Sequence, residues 1–280
     1  MRSLSVVEER ALAAARAVAG AHGLSAEQAA VVYSGSNVLV RLNPAPVVAR
    51  VMTGTVALHE DPQRWLTREV SVLNFLAPTA LAVGPSSLIA PGPYKHAGLW
   101  MTCWEWVEHQ RQTELPTDAE HLGGALRDLH RALAGFGSEL GDLGDVQVDI
   151  ERLLGQLRPT ATLRSTAIDV LRAKLHALTD QVFASPLPGQ PLHGDASLTN
   201  LLRVQDGFVW NDFEDVCRGP AQWDVAGFLT SLQDRGADPA FTRRVLDAYG
   251  DVEEDSLAPF AAAHDLYGTI WRMYDSQRHQ

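Results

Sequence analysis

The sequence predicts an α+β protein in which strands gather early and helices gather late. Between residues 29 and 107, short β-branched and aromatic runs alternate with tight turns. After residue 117, apolar residues recur at helical spacing. A loop of acids joined to a hairpin near residue 200 interrupts the helical part and points to chemistry. The 280 residues suffice for one large domain or two lobes, and for a sizeable core.

Ser5-Val6-Val7-Glu8 has capping-box spacing and opens an alanine-rich helix to about Gly20, with Val7, Leu12, Ala15 and Val18 suited to lie on something larger. Ala29 to Tyr33 reads as a strand, Ser34-Gly35-Ser36-Asn37 as a tight turn, and Val38 to Leu42 as the next strand. Asn43-Pro44-Ala45-Pro46 turns the chain into a third strand, Val47 to Met52. These two hairpins suit either an ordinary meander or a flap covering phosphates, with Ser36 and Asn37 at its tip. Pro62 to Leu76 reads as a helix with Trp65, Val70, Leu73 and Leu76 on one face. Arg50, near the end of the third strand, and Glu69, on that helix, form a candidate cation–carboxylate pair; Arg68 is the alternative cation.

Prolines at 85, 91 and 93 punctuate a looped region, with a short strand expected near Ser87 to Ala90. Gly98 to Val107 reads as a strongly apolar central strand that ends in polar Glu108-His109-Gln110. Such a strand and connector would serve as a hinge between lobes, where backbone groups read adenine. The carbonyl of Trp104 and the N–H of Trp106 are the groups expected there, although clustered tryptophans also suit a core.

Thr117-Asp118-Ala119-Glu120 reads as a second capping box before a helix through Leu122, Leu126, Leu129 and Leu133, with His130 a structural histidine. Gly135 to Asp145 is loop-like, and Asp149 to Leu157 and Thr166 to Phe183 are expected helices. Asp224 leads a further helix, Val225 to Leu232, either capping it or bonding back to the preceding loop. Helices follow over Pro239 to Tyr249 and from Ser256 to Arg272 and beyond, with Tyr267, Trp271 and Tyr274 on one face. That face serves as core or as a cation-stacking wall.

The chemistry is concentrated in His193-Gly194-Asp195-Ala196-Ser197-Leu198-Thr199-Asn200 and in Asp212, which follows an apolar hairpin turned by Asp206-Gly207. Phosphoryl transfer from a nucleotide needs these groups: one carboxylate for the attacking hydroxyl, and an amide oxygen and second carboxylate to hold Mg²⁺ against the phosphates. In protein kinases the pattern is HRD, four residues, Asn, then DFG. Here Gly194 replaces the arginine, and Phe213 to Trp223 contains no Ser, Thr or Tyr. A phosphorylation-regulated protein kinase is therefore not expected; an enzyme active as made on a small substrate is.

The net charge is −11, and residues 206–280 hold fourteen acids against six arginines, a net of −8. That balance disfavours nucleic acid and favours a cationic small molecule as partner. No stretch approaches a membrane span, and Glu8, Glu9 and Arg10 stand where a signal peptide would be apolar. Two cysteines without metal or disulfide spacing fit a reducing cytoplasm.

On HGDASLTN (His193–Asn200), NDFEDVCRGPAQWD (Asn211–Asp224), the GSN turn (Gly35–Asn37) and VVARV (Val47–Val51), the chain resembles the aminoglycoside phosphotransferase and choline kinase family from about Tyr33 to Asp224. The resemblance implies a two-lobed protein-kinase-like fold, with an N-lobe of antiparallel sheet plus helix (residues 1–107), a hinge at about 103–108, and a larger, mainly helical C-lobe (108–280). ATP, or GTP, and Mg²⁺ would lie between the lobes. Asp195 would be the catalytic base, Asn200 and Asp212 the metal ligands, and Arg50 the phosphate contact paired with Glu69. Arg50 departs from the lysine common in the drug-modifying members. His193 and Asp224 would support the loop. The acceptor-site candidates are Glu214, Asp234, Asp238, Tyr267 and Trp271. The expected activity is O-phosphorylation of a small hydroxyl compound, an aminoglycoside-like cation or a metabolite of choline, homoserine, sugar or fructosamine type. A non-catalytic nucleotide-binding protein is the competing class, against which the intact Asp195, Asn200 and Asp212 argue.

Overall fold

The first helix, α1 (Val6–Ala21), starts where its capping box predicts. Ser5 Oγ accepts the Glu8 N–H at 3.3 Å, and the Glu8 carboxylate accepts the Ser5 N–H at 2.7 Å. Ala11, Ala14, Ala15 and Ala19 line its buried face, and these small side chains bring the helix close against a sheet. The sheet comprises β1 (Ala30–Ser34), β2 (Val38–Arg41), β3 (Val47–Val51), β4 (Tyr94–His96) and β5 (Leu99–Glu105), all antiparallel, in the order β1-β2-β3-β5-β4. Side chains alternate across a strand, so its two faces differ. Val38, Val40, Val47, Ala49, Val51, Met101 and Cys103 form one buried cluster with α1. Arg50 and Thr102, cross-strand partners in the β3–β5 register, point the other way, toward α2 (Pro62–Leu76).

These elements form one unit, Met1–His109, and the remaining chain forms a second, Gln110–Gln280. The computed structural model describes residues 3–55, 59–110, 114–160 and 163–278.

The strand expected near Ser87–Ala90 is absent. Ser86 Oγ accepts the Leu88 N–H in a local bend, and the segment reaches β5 through single carbonyls, Pro91 accepting from Cys103 at 2.9 Å. The edge strand is instead β4, joined to β5 through Ala97 and Gly98, both at positive φ.

In the second unit α3 (Ala119–Leu133) buries Leu122, Leu126, Leu129 and Leu133 as its spacing predicts. Its cap is Asp118 rather than Thr117: the Asp118 carboxylate accepts the His121 N–H at 3.0 Å, an anion well placed at a helix N-terminus. The next helix, α4 (Leu143–Gln156), begins earlier than the expected Asp149. An Asp142–Asp145 capping box starts it inside a segment whose glycines read as loop. Next, α5 (Ser165–Leu178) runs into a π turn ending at Phe183.

Two small ladders follow: β6 (Gln190–Leu192) pairs with β9 (Cys217–Gly219), and β7 (Leu201–Val204) pairs with β8 (Gly207–Trp210) around the expected turn. Three helices complete the unit: α6 (Gln222–Asp234), α7 (Pro239–Tyr249) and α8 (Ala258–Arg278). Of these α6 is central, burying Trp223, Asp224, Val225, Ala226, Gly227, Phe228 and Leu232. Among the described residues no helix is long and apolar enough to cross a membrane.

The α3–α7 crossing depends on Gly123, where a Cβ would stand 2.1 Å from the Val245 carbonyl oxygen and 2.9 Å from the Tyr249 nitrogen, both backbone atoms. Gly123→Ala should therefore lower stability by about 1–3 kcal/mol through overpacking. Gly155→Ala, in α4 with nothing within 4 Å, should be neutral or stabilising. Denaturant midpoints of the two variants check this, and equal losses would contradict it.

Candidate active site

The loop His193–Asn200 is held by α6. Asp224, fully buried in the first turn of α6, accepts the His193 N–H at 2.7 Å on Oδ2 and the Gly194 N–H at 3.0 Å on Oδ1. His130 of α3 donates from Nε2 to the same Oδ2 at 2.8 Å. Burial alone would raise the Asp224 carboxyl, but the His130 hydrogen bond, helped by the electrostatics of the neighbouring His130 and His193 rings and the His193 amide, outweighs it and holds it below the usual range. One residue earlier, Trp223 Nε1 donates to the Gly194 carbonyl at 2.7 Å. Two turns along the same helix, Ser231 Oγ accepts the Leu198 N–H at 3.0 Å. A single rigid helix thus grips the loop at both ends. Between the two roles expected of Asp224, it takes the bond back to the loop.

Gly194 sits at φ 89°, and a Cβ there would lie 1.9 Å from the Asp215 carbonyl oxygen. Neither demand can be met by another residue. His193 is buried with its ring against Phe213 and Trp210. Its Nε2–H donates to the Asn211 carbonyl at 3.0 Å, and burial holds the ring below the usual imidazole range. That bond ties the loop to the residue before Asp212.

Asp195, Asn200 and Asp212 come together in this framework. The Asn200 amide nitrogen donates to the Asp195 carboxylate at 2.8 Å and to the Asp195 carbonyl at 2.9 Å, leaving the amide oxygen as the end available to a ligand. The Asn200 carbonyl accepts the Asn211 N–H at 3.0 Å, which sets Asp212 beside it. Asp212 itself adopts φ 63°, a left-handed conformation that a non-glycine residue holds only under constraint. Low-dielectric surroundings push the Asp195 carboxyl well above the usual range; Asp215 and Asp212 push it further, against the Asn200 hydrogen bond. Because the Asp195 side chain is itself exposed to solvent, the repulsion among acids is the part that bears on its chemistry. Among the described residues no group of three or more His, Cys, Asp or Glu could hold a metal ion. One carboxylate and one amide oxygen nevertheless suit Mg²⁺, which draws most of its ligands from phosphates and water.

In the first unit Arg50 Nη2 and Glu69 Oε2 lie 2.5 Å apart, both side chains buried. Thr102 Oγ1 donates to the same Glu69 oxygen at 3.4 Å and accepts from Trp104 Nε1 at 2.9 Å. Arg50 is thus a cation bonded to Glu69, as expected. Asn37 is buried, and its Oδ1 accepts from Thr53 N at 3.3 Å and Thr55 Oγ1 at 3.1 Å. It shapes the turn, while half-buried Ser36 stands at the tip.

The strand register corrects the expected adenine contacts. The Trp106 N–H donates to the Pro46 carbonyl at 2.8 Å, and Trp104 pairs with Val48, so both engage β3. Alternation of the ladder turns the Glu105 carbonyl to the opposite edge, where the Glu105 N–H donates to the Gly84 carbonyl at 3.1 Å, and the same alternation carried past the strand would turn the Val107 N–H there. The indole of Trp106 lies against Arg41, 4.2 Å from its centroid, and donates to Glu108 at 2.7 Å.

The acceptor candidates divide. Burial pushes the Tyr267 phenol well above its usual range, with Asp215, Asp195, Asp149 and Glu214 adding in that order. Tyr267 and Glu214 therefore belong with the loop acids, and Asp149 and Asp215 join them unforeseen. Asp215 lay inside the NDFEDV stretch; Asp149 carried no local signal. Trp271 lies one turn beyond Tyr267 on α8, its ring 5.8 Å from Tyr274. Asp234 and Asp238 do not join this cluster: Asp234 ends α6 far from its Asp224 turn, and Asp238 caps α7, accepting the Phe241 N–H at 2.7 Å.

The model of the APH phosphotransferase enzyme family matches residues 13–260. The chain belongs to this phosphotransferase family. It is a small-molecule kinase with an alcohol group as acceptor. No curated protein matches it by sequence. Its fold is shared with an aminoglycoside phosphotransferase from Streptomyces rimosus solved with ADP and streptomycin (TM-score 0.67, 16% identity, 94% of this chain and 99% of that one covered). It is shared too with the choline kinase LicA from Streptococcus pneumoniae (TM-score 0.66, 13%, 99% and 93%). A third relative of this fold is the amicoumacin kinase hAmiN, solved with AMP-PNP, Ca²⁺ and Ami (TM-score 0.66, 13%, 89% and 79%).

Two expectations follow for the phosphotransferase. Gly194→Ala should leave the helices folded yet lower turnover roughly 100-fold, the cost of displacing a catalytic group by about an ångström. Circular dichroism and ADP release check it, and an active variant would contradict the close packing. The second concerns His264, whose Nε2–H donates to the Trp223 carbonyl at 2.9 Å while burial holds its ring below the usual range. A histidine with a lowered folded pKa binds fewer protons folded than unfolded. Its stabilising contribution is full above the unfolded value of about 6.5 and declines as pH falls through it. The melting temperature should therefore drop between about pH 7.5 and about pH 5.5, and less steeply in His264→Gln, which cannot titrate.

Proposed function

We propose that the chain is an ATP- and Mg²⁺-dependent O-phosphotransferase acting on a small, positively charged hydroxyl compound. The observation that carries the reading is the Asn200 amide bonded to the Asp195 carboxylate at 2.8 Å on a loop clamped by α6. Asp195 orients the acceptor hydroxyl and takes its proton as the oxygen bonds to the γ-phosphorus; the bond to the bridging oxygen breaks and ADP leaves. Asn200, through its amide oxygen, and Asp212 would hold magnesium. Bound there, the metal would neutralise phosphate charge. Arg50, oriented by Glu69, would contact phosphate, with Ser36 at the turn that covers it. Arginine offers a planar fork of donors where lysine offers one point charge.

ATP is favoured as donor by the edge of β5. The Glu105 carbonyl suits the amino donor of adenine, and the Val107 N–H suits a ring-nitrogen acceptor. Nucleotides accompany two of the relatives, as ADP and AMP-PNP. GTP would present the reverse order of donor and acceptor on this edge. A cytoplasmic setting belongs to the same proposal, since ATP is the donor.

A cationic acceptor is supported by the acids around Tyr267: Asp215, Asp149 and Glu214, together with Asp195. An aminoglycoside-like amine meets that description. A choline-like metabolite is the second reading, favoured by the neighbouring Trp271 and Tyr274 rings.

Two measurements test this. Asp195→Asn should bind MgATP as the parent does and lose about 10²–10⁴-fold in turnover; retention of the parental rate would refute the assignment. ADP release screened with streptomycin, kanamycin, choline and ethanolamine should give a responding amine whose KM rises in Asp215→Asn while the KM for MgATP does not. A neutral sugar as the best acceptor would remove the charge-based reading.

A further inference from the structure

A chain of buried hydrogen bonds leaves the catalytic loop and ends on α7, in a residue that nucleotide chemistry does not call for. The Tyr249 hydroxyl lies 2.8 Å from His130 Nδ1, and His130 Nε2 lies 2.8 Å from Asp224 Oδ2, the oxygen that also accepts the His193 N–H. Tyr249, His130, Asp224 and His193 are 8%, 4%, 0% and 0% exposed, so water does not substitute for any link.

From this geometry we infer that Tyr249 is a positioning residue for phosphoryl transfer, acting through His130 and Asp224 on the backbone that carries Asp195. A carboxylate turns readily about its last side-chain bond. Asp224 must nevertheless present both oxygens to two successive amides, so its rotation has to be fixed from outside the loop. His130 fixes it from Nε2, and the imidazole in turn is held at Nδ1 by Tyr249, whose ring meets it edge-on with centroids 5.6 Å apart.

Tyr249 is itself held by the helix crossing. The backbone of α7 abuts Gly123 at Val245 and Tyr249, and Arg127 Nη1 of α3 donates to the Ala248 carbonyl at 2.8 Å. Burial pushes the phenol up to about 12, with Asp224 and Asp251 adding, so it keeps its proton at neutral pH. It donates that proton to Nδ1, which leaves Nε2–H to donate to Asp224. Each donor in the series then faces an acceptor, and the direction ends on the loop amides.

The inference rests on Asp195 as the base only in its activity arm. Tyr249→Phe removes one oxygen and keeps the packed ring. Hydrogen exchange is followed on peptides covering residues 190–197 and on those covering α7, alongside release of ADP from MgATP with water as acceptor. Exchange at the His193 and Gly194 amides should rise, and ADP release should fall, by roughly tenfold each, the effect of one hydrogen bond in a charged network, with the KM for MgATP unchanged. In His130→Gln, which keeps a donor toward Asp224 but not the Tyr249 link, Tyr249→Phe should have no further effect. His130→Asn serves as a second background if the first does not fold. Additive effects of the two substitutions would overturn the inference, as would faster exchange confined to α7 or unchanged exchange at the loop. If the parent chain releases no ADP with water or with any acceptor of the screen above, the phosphotransfer reading fails on its own, and the exchange measurement still decides the role of Tyr249.

Discussion

A carboxylate with no exposed surface governs the second unit. Removing Asp224 from water costs several kcal/mol, and only a full set of hydrogen bonds offsets that. His130 and the His193 and Gly194 amides supply three donors, and each of them is thereby fixed. The charge cannot relax without leaving a buried anion unpaired, so the loop cannot drift from α6. This accounts for the helix itself: α6 is buried all round from Trp223 to Phe228 because it must stay central to hold one acid still. The left-handed turn at Gly194 follows from the same demand, since the chain has to present two successive amides to one side chain.

The first unit solves a similar problem with an ion pair. Arg50 points away from the α1 face of the sheet because side chains alternate, and α2 brings Glu69 to meet it. Thr102 and Trp104 extend the pair into a short polar row on that face. A buried pair adds little net stability, but removing one partner strands the other. Its value here is a guanidinium held in a defined orientation.

What was legible in the sequence was local. Capping chemistry gave the start of α1, and turn residues gave the first two hairpins and the β7–β8 pair. The spacing from Asp195 to Asn200 to Asp212 fits within one loop and one hairpin, so reading along the chain found it. The failures were relations across the chain. Which edge Trp106 faces depends on pairing with Pro46, not on anything near Trp106. His130 and Tyr249 are separated by most of the second unit and meet only because Gly123 lets α3 and α7 touch. Asp234 and Asp238 drew notice for their charge, yet helix ends explain them; Asp149 gave no sign until α4 was seen to begin at Leu143.

That division bears on how one scaffold takes different acceptors. The groups gripped by α6 are those the proposed transfer would require, and their bonds run to backbone atoms, which tolerate little change. The acids and rings assigned to the acceptor lie elsewhere: Asp149 on α4, Tyr267 and Trp271 on α8, Glu214 and Asp215 between β8 and β9. The hydrogen bonds described above as fixing the loop run instead through Asp224, His130, Trp223, Ser231 and His193. On the proposed reading, a substitution there would alter which molecule is held while Asp195 stays where Asp224 sets it. Acceptor choice can therefore change without the cost of rebuilding the catalytic loop, as expected where binding residues are carried on a separately anchored frame.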